Sequence, residues 1–244
     1  MTGTLINVVA VLVGTGLGLV LGHRLTESMR ETVMRGLGLV VLAMGIQMAF
    51  ETANFLIVLG AMLVGGLLGE WWRLEDRLNH LGVWLEARFN RGQEDEGDDT
   101  AKRFIQGFVT ASLVYCIGPL AVLGAFQDGL TGDYRLLAIK SMLDGFASLA
   151  FASSMGIGVS FAALSVLIYQ GGLTLLAQQA QAILTTEMIA EMTAVGGLLM
   201  VGIAISVLLE IKPIRVGNFL PALLIAPLIV AVLAALGLPI APQF

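Results

Sequence analysis

The chain has almost none of the residues from which metal centres and disulfide frameworks are built. Of its 244 residues one is a cysteine, Cys116, and two are histidines, His23 and His80. An internal disulfide cannot form, and no zinc or iron–sulfur ligand set can be assembled, so no metal and no cofactor is expected. Charge is scarce as well: Asp, Glu, Lys and Arg make up 13% of the residues, about half the share of an ordinary soluble domain. Much of the net charge of −5 comes from one acidic run, Gly92 to Thr100. There is no basic face for nucleic acid.

What the sequence does have is apolar length. Hydrophobic residues reach 57% and the mean hydropathy is +0.89, so the first partner of this chain is a lipid bilayer. About 20 apolar residues cross a bilayer as a helix, and lipid tolerates only helices or closed barrels. The charge-free windows are too long for barrel strands. Eight segments follow: Gly3 to Gly22, Gly36 to Phe50, Asn54 to Gly69, Phe104 to Phe126, Leu136 to Ala152, Gly156 to Ala177, Met192 to Leu209 and Gly217 to Leu236. The fold class is all-α, a polytopic membrane bundle of about eight transmembrane segments. No Lys or Arg precedes the first segment, which therefore reads as a retained helix rather than a cleaved signal.

Positive charge sets the orientation. With the amino terminus outside, 11 of the 13 Lys and Arg residues fall on the cytoplasmic side; Arg135 and Lys140 are the exceptions. Both termini are then outside. Between the third and fourth segments, Trp71, Leu74, Leu78, Leu81, Leu85 and Phe89 recur at helical spacing among charged residues, which predicts an amphipathic interfacial helix. Residues 92–100 read as an acidic linker. The chain divides accordingly into 1–70, 71–103, 104–154 and 155–244.

The most informative stretch is Leu136 to Ala177. It contains Lys140 and Asp144, and from Gly145 to Thr186 there are 42 residues without a charge. That length is two membrane segments or one long hairpin. Lys140 and Asp144, four apart, share a helix face and neutralise each other. Ionisable groups at membrane depth point to a pathway or binding site; the plainer alternative is a Lys140 that snorkels with Asp144 as its partner. The small residues from Ser153 to Gly158 permit a helix break. Candidate substrate- or ion-binding residues are Lys140, Asp144, Gly145, Ser148, Ser153, Ser154, Gly156, Gly158, Gln170 and Asn218. The serines could equally bond back to their own helices.

Self-comparison gives an internal repeat. Val11-Leu12-Val13 before Gly16 matches Val166-Leu167-Ile168 before Gly171, Glu51 matches Glu210, and Asn54-Phe55-Leu56 matches Asn218-Phe219-Leu220. Segments one to three pair with six to eight across two inserted segments, a 3+2+3 inverted repeat of three helices, as secondary transporters use. Glu51, Asn54 and Glu210 then stand at helix ends as candidate gates, or simply as caps. Gly14, Gly18 and Gly22, like Gly65 and Gly69, form close-packing ridges, within the chain or across a homodimer. Gly118-Pro119, Pro221 and Pro227 mark kinks.

The run Lys140 to Gly145, continuing into Ala152 to Val159 and Tyr169-Gln170-Gly171, with Asn218-Phe-Leu-Pro221-Ala later, resembles the YqgA/YdfK family of bacterial inner-membrane proteins of unknown function. The resemblance spans nearly the whole chain. It implies a bacterial inner-membrane location and transfers no substrate or site residue.

The reading that joins these features is a secondary-type transporter of a small solute or ion by alternating access, with Asp144 and Lys140 as coupling groups. An ion channel formed by an oligomer and a membrane scaffold without transport are the alternatives. An enzyme is not expected, because neither histidine is placed to activate Ser153 or to pair with Asp144.

Overall fold

The chain, described here from a computed structural model over residues 1–22, 24, 26–89, 98–116 and 119–240, is helical throughout these residues. In chain order the helices are α1 (Thr2–Gly22), α2 (Glu27–Ala49), α3 (Phe55–Trp72), α4 (Leu74–Phe89), α5 (Asp98–Cys116) and α6 (Pro119–Thr131). They continue as α7 (Arg135–Met155), α8 (Ala162–Leu175), α9 (Ala177–Ile183), α10 (Thr186–Ile203) and α11 (Ala222–Ala235). A 3-10 turn, Gly156–Phe161, joins α7 to α8; a π turn, Ala204–Leu208, ends α10; and a 3-10 turn, Val216–Phe219, precedes α11. His23, most of the acidic run and Gly118 lie outside the described residues.

Six helical stretches among the described residues are long and apolar enough to cross a membrane, or seven if α5 and α6, bent by 62° at their junction, form one broken span. Eight segments were expected. The difference lies in Arg135–Leu175, which is continuous over 41 residues and yet doubles back. Its two limbs pack on α1 in opposite senses. Gly3 meets Leu137, Gly14 meets Gly145, Gly18 meets Leu149 and Gly22 meets Ser153, so α7 runs parallel to α1. Thr4 bonds Thr174 and Asn7 bonds Gln170, so α8 runs antiparallel to it. The reversal falls at Gly156, whose φ of +83° is a conformation glycine adopts without steric penalty. The two limbs correspond to the expected fifth and sixth segments, joined without a polar loop.

The residues fall into two compact units. Of the described residues, the first comprises those within 1–38, 78–116 and 120–178; the second comprises 39–77, 119 and 179–240. In the first, glycine brings α1 against α7: a Cβ on Gly14 would strike the carbonyl oxygen of Gly145, and one on Gly22 would lie 2.7 Å from that of Ser153. The ridge read from the sequence is thus a seam inside the chain. Across the hairpin, α5 places Phe104 against Gly158 and Phe161 and Ser112 against Ser165 at 2.8 Å.

In the second unit α3 and α11 pack antiparallel, with Gly60 facing Ile229, Gly65 facing Ala222 and Gly69 facing Asn218. Helices α2 and α10 also pack antiparallel, Gly45 lying on Val201 and Gly197 on Ala49. Ile57, Met188 and Val230 form a buried apolar cluster. Several boundaries differ from expectation; α10, for one, begins at Thr186, six residues before the expected Met192. The second segment begins at Glu27, nine residues before the expected Gly36, because Glu and Arg are good helix formers at an exposed end. The amphipathic helix begins at Leu74, since Arg73 adopts a left-handed conformation and caps α3, leaving Trp71 and Trp72 on that helix.

Candidate functional site

Polar residues spaced one turn apart on three helices meet inside the first unit. From α1 come Thr4 and Asn7; from α7, Lys140, Asp144 and Ser148; from α8, Gln170 and Thr174. All are buried, Asn7 completely, and Lys140 and Asp144 expose only 5% and 7% of their surface. Charges so far from water persist only when paired and hydrogen-bonded.

That condition is met by a directed chain of bonds. Lys140 Nζ forms an ion pair with Asp144 Oδ2, one helical turn along the same helix. Asn7 Nδ2 donates to the same oxygen at 2.8 Å and to Gln170 Oε1 at 3.1 Å. Gln170 Nε2 donates in turn to Thr4 Oγ1 at 3.3 Å. The single hydroxyl proton of Thr174 goes to the Gln170 carbonyl at 2.8 Å, so Thr4 is the donor in its 3.3 Å contact with Thr174. Beside the pair, Ser148 meets the hydroxyl of Tyr115, from α5, at 2.7 Å. Near the start of α1, Asp128 Oδ2 accepts from the Gly3 N–H at 3.0 Å, as a carboxylate at a helix amino terminus does. Three oxygens are buried without a partner among the described residues: Asn7 Oδ1, Thr15 Oγ1 and Ser154 Oγ.

Of the residues singled out in the sequence, Lys140, Asp144, Ser148 and Gln170 come together here. Gly145 faces Ala10 of α1, whose carbonyl oxygen would lie 3.3 Å from a Cβ added at Gly145. Ser153 bonds back to the Ala150 carbonyl at 2.7 Å. Gly156 and Gly158 form the hairpin turn, where the missing side chain of Gly158 admits the Phe104 carbonyl. Ser154 stays in the first unit with its buried hydroxyl unpartnered among the described residues, and Glu51, Asn54, Glu210 and Asn218 belong to the second. Glu51 and Glu210 are exposed. Asn54 caps α3 by accepting from Leu56 N at 3.0 Å, and its Nδ2 reaches the Ile240 carbonyl at 2.8 Å. Asn218 accepts from Glu75 N at 2.8 Å and donates to Glu70 at 2.6 Å.

Glu191, read from the sequence as the end of an outer loop, is instead in α10 and has no exposed surface. Its carboxylate holds the turn before α3, accepting from Thr52 Oγ1 at 2.6 Å, Ala53 N at 2.9 Å and Asn54 N at 3.2 Å. The turn before α11 is held likewise by Glu75, which accepts from Gly217 N at 2.6 Å. Half-burial pushes the Glu75 carboxyl above its ordinary value, opposed by the Gly217 N–H and the nearby Arg215. Sequence reasoning passed over Asn7, Thr4, Thr174, Tyr115, Asp128 and Glu191. The usable signal was in the first segment, where Thr4, Asn7 and Thr15 recur on one face of an otherwise apolar helix.

Long apolar helices that enclose an ion pair and two linked amides define a polytopic helical membrane protein. The chain belongs to the family described as Protein of unknown function (DUF554), whose profile matches residues 2–231. It is 33% identical over 242 residues to the Uncharacterized membrane protein YdfK of Bacillus subtilis (strain 168), covering 98% of this chain and 99% of that one. To the Uncharacterized protein YqgA of Escherichia coli (strain K12) it is 36% identical over 224 residues, covering 92% and 94%. No solved structure matches.

Proposed function

We propose that this protein is a secondary transporter of a small solute or ion, residing in a bacterial inner membrane with both termini outside, and that Asp144 and Lys140 form its coupling site. The observation that carries the reading is the buried ion pair bridged by Asn7 to Gln170, which links side chains of α1, α7 and α8 in one polar network. Buried charge is expensive at membrane depth and is found where ions or protons pass. An apolar pair would pack these helices more cheaply. The antiparallel packing of α1 with α8, α2 with α10 and α3 with α11 fits an inverted repeat, the arrangement on which alternating access is built.

The test is flux in proteoliposomes containing the purified full chain. Proton, sodium and potassium gradients are imposed in turn against a panel of labelled amino acids and small organic acids. Carrier-type, saturable uptake in wild type that disappears in Asp144→Asn supports the proposal. Uptake indistinguishable from empty vesicles for both proteins, or equal in both, overturns it. Ohmic single-channel currents in a planar bilayer would replace it with the channel reading.

A further inference from the structure

We propose that the ion exchanged at Asp144 is a proton, and that Asn7 receives the protonated carboxyl by closing a ring of two hydrogen bonds with it while Lys140 is released toward the start of α7. The inference rests on the transport reading for its purpose and on separate observations for its chemistry.

The first observation is an acceptor that faces another acceptor. Asn7 is wholly buried and its Oδ1 has no donor among the described residues, although such groups are normally satisfied. The bonds that Asp144 receives from Lys140 and from Asn7 both end on Oδ2. An ionised carboxylate only accepts, so it cannot serve the Asn7 oxygen; a protonated one carries an O–H donor. One added proton lets Asp144 Oδ1 donate to Asn7 Oδ1 while Asn7 Nδ2 keeps donating to Oδ2. The outer atoms of an amide and of a carboxyl are both roughly 2.2 to 2.3 Å apart, so the two bonds fit side by side. The second amide hydrogen stays on Gln170 Oε1. The same nitrogen stands between the Asp144 and Gln170 oxygens and gives a hydrogen to each, so a metal ion has no place between them. A proton needs none.

The second observation is the direction of Lys140. Helical side chains lean toward the amino terminus, yet Lys140 reaches the other way, to Asp144 one turn on. It stands five residues after Arg135, about 7.5 Å of helix, and the exposed side chain of Arg135 marks where α7 meets water. A lysine that near a helix end reaches the interface once its counter-charge is gone. The exchange balances. One O–H bond forms on Asp144 as one breaks in the water that delivers the proton, and Lys140 leaves as an intact ammonium. Among the described residues few titratable groups face the pair. Helices α1 and α8 bring no charged side chain, and only Tyr169 among titratable ones. From α5 come the Tyr115 hydroxyl and the Cys116 thiol, which in water titrate only above about pH 8. On α6, Asp128 is engaged by the Gly3 N–H and the Met1 ammonium, each at 3.0 Å.

The experiment is infrared difference spectroscopy of the purified full chain in detergent, titrated from about pH 4 to pH 9, below the range of lysine. As pH falls, wild type is expected to gain a protonated-carboxyl C=O band that is lost in Asp144→Asn. In Asn7→Leu the band is expected to shift to higher frequency, as for an acid without partners. Lys140→Met, where no ammonium compensates Asp144, is expected to keep the band at neutral pH. Absence of an Asp144-dependent band in wild type overturns the proposal, and so does its absence at neutral pH in Lys140→Met. A band at one frequency in wild type and Asn7→Leu overturns the role of Asn7. If Asn7→Leu does not fold, isotopic labelling of asparagine in wild type decides: an amide carbonyl band that shifts with Asp144 protonation supports the ring, and one that stays overturns it. Asp144-dependent flux with no carboxyl band removes the proton site and leaves the transporter; a carboxyl band without flux does the reverse.

Discussion

Removing one half of the Lys140–Asp144 pair and removing both halves are different experiments. Asp144→Ala strands an ammonium with 5% exposure, and such uncompensated charges destabilise by about 3–5 kcal/mol. The double replacement Lys140→Met with Asp144→Leu restores a neutral interior and is expected to unfold within about 1–2 kcal/mol of wild type, yet to carry no flux. Retained flux in the double variant would reduce the pair to a structural element. Glu75 makes a second case, outside the membrane spans. Its carboxyl is raised above the ordinary 4.5, so the folded protein holds that proton more tightly than the unfolded chain. The stability linked to it is complete below about pH 4.5 and is lost as pH rises through the folded value. Thermal unfolding between pH 4 and 7 should show this decline in wild type and a flatter profile in Glu75→Gln. Lys140, Asp144 and Gln170 were legible because each interrupts an apolar run. Glu191 was not, because a carboxylate beside a segment end reads as solvent-facing until the Thr52–Asn54 turn is seen to enclose it.

Helices in lipid find partners by shape, and shape here is set by what glycine omits. The spacing of Gly14, Gly18 and Gly22 announced a close-packed face. It could not name α7 as the neighbour or its parallel sense, since a ridge of small residues is compatible with any backbone that approaches. Gly14→Leu drives a side chain into the Gly145 carbonyl, where backbone rather than a mobile side chain must yield. A loss of about 3 kcal/mol or more is expected. A Cβ at Gly16 on the same helix meets nothing within 4 Å, so Gly16→Leu should change stability by less than about 0.5 kcal/mol. Equal losses in guanidinium or thermal unfolding would contradict this packing. The reversal between α7 and α8 was legible because 42 uncharged residues with a small-residue centre exceed one crossing. The start of α4 was not, because the helical spacing of Trp71 through Leu78 continues unbroken across Arg73, and only its φ of +51° separates the two helices.

For the molecule as a whole, composition settled the class, while the distribution of Lys and Arg sets a proposed orientation. Having only Cys116 makes the orientation measurable in a Cys116→Ser background. A membrane-impermeant maleimide added to intact cells is expected to label Gln179→Cys and to reach Lys212→Cys only after permeabilisation. The opposite pattern would invert the proposed topology and with it the sidedness of any transport. The Asn54 and Asn218 matches did not name α3 and α11 as packing neighbours, because a repeat relates two segments without saying what each touches. The paired bracing of the two turns by Glu191 and Glu75 was not legible either, since those two carboxylates sit at unrelated places along the sequence.

Asn7 and its acceptor Asp144 are 137 residues apart, and this separation bears on how the protein is made. A ribosome adding 5–20 residues per second leaves roughly 7–27 s between the emergence of the two. Throughout that interval the newborn first helix sits without the partners that satisfy Thr4 and Asn7. Biogenesis of this protein therefore includes a waiting stage, in which the insertion machinery or surrounding lipid must shelter one polar-faced helix until translation delivers its neighbours.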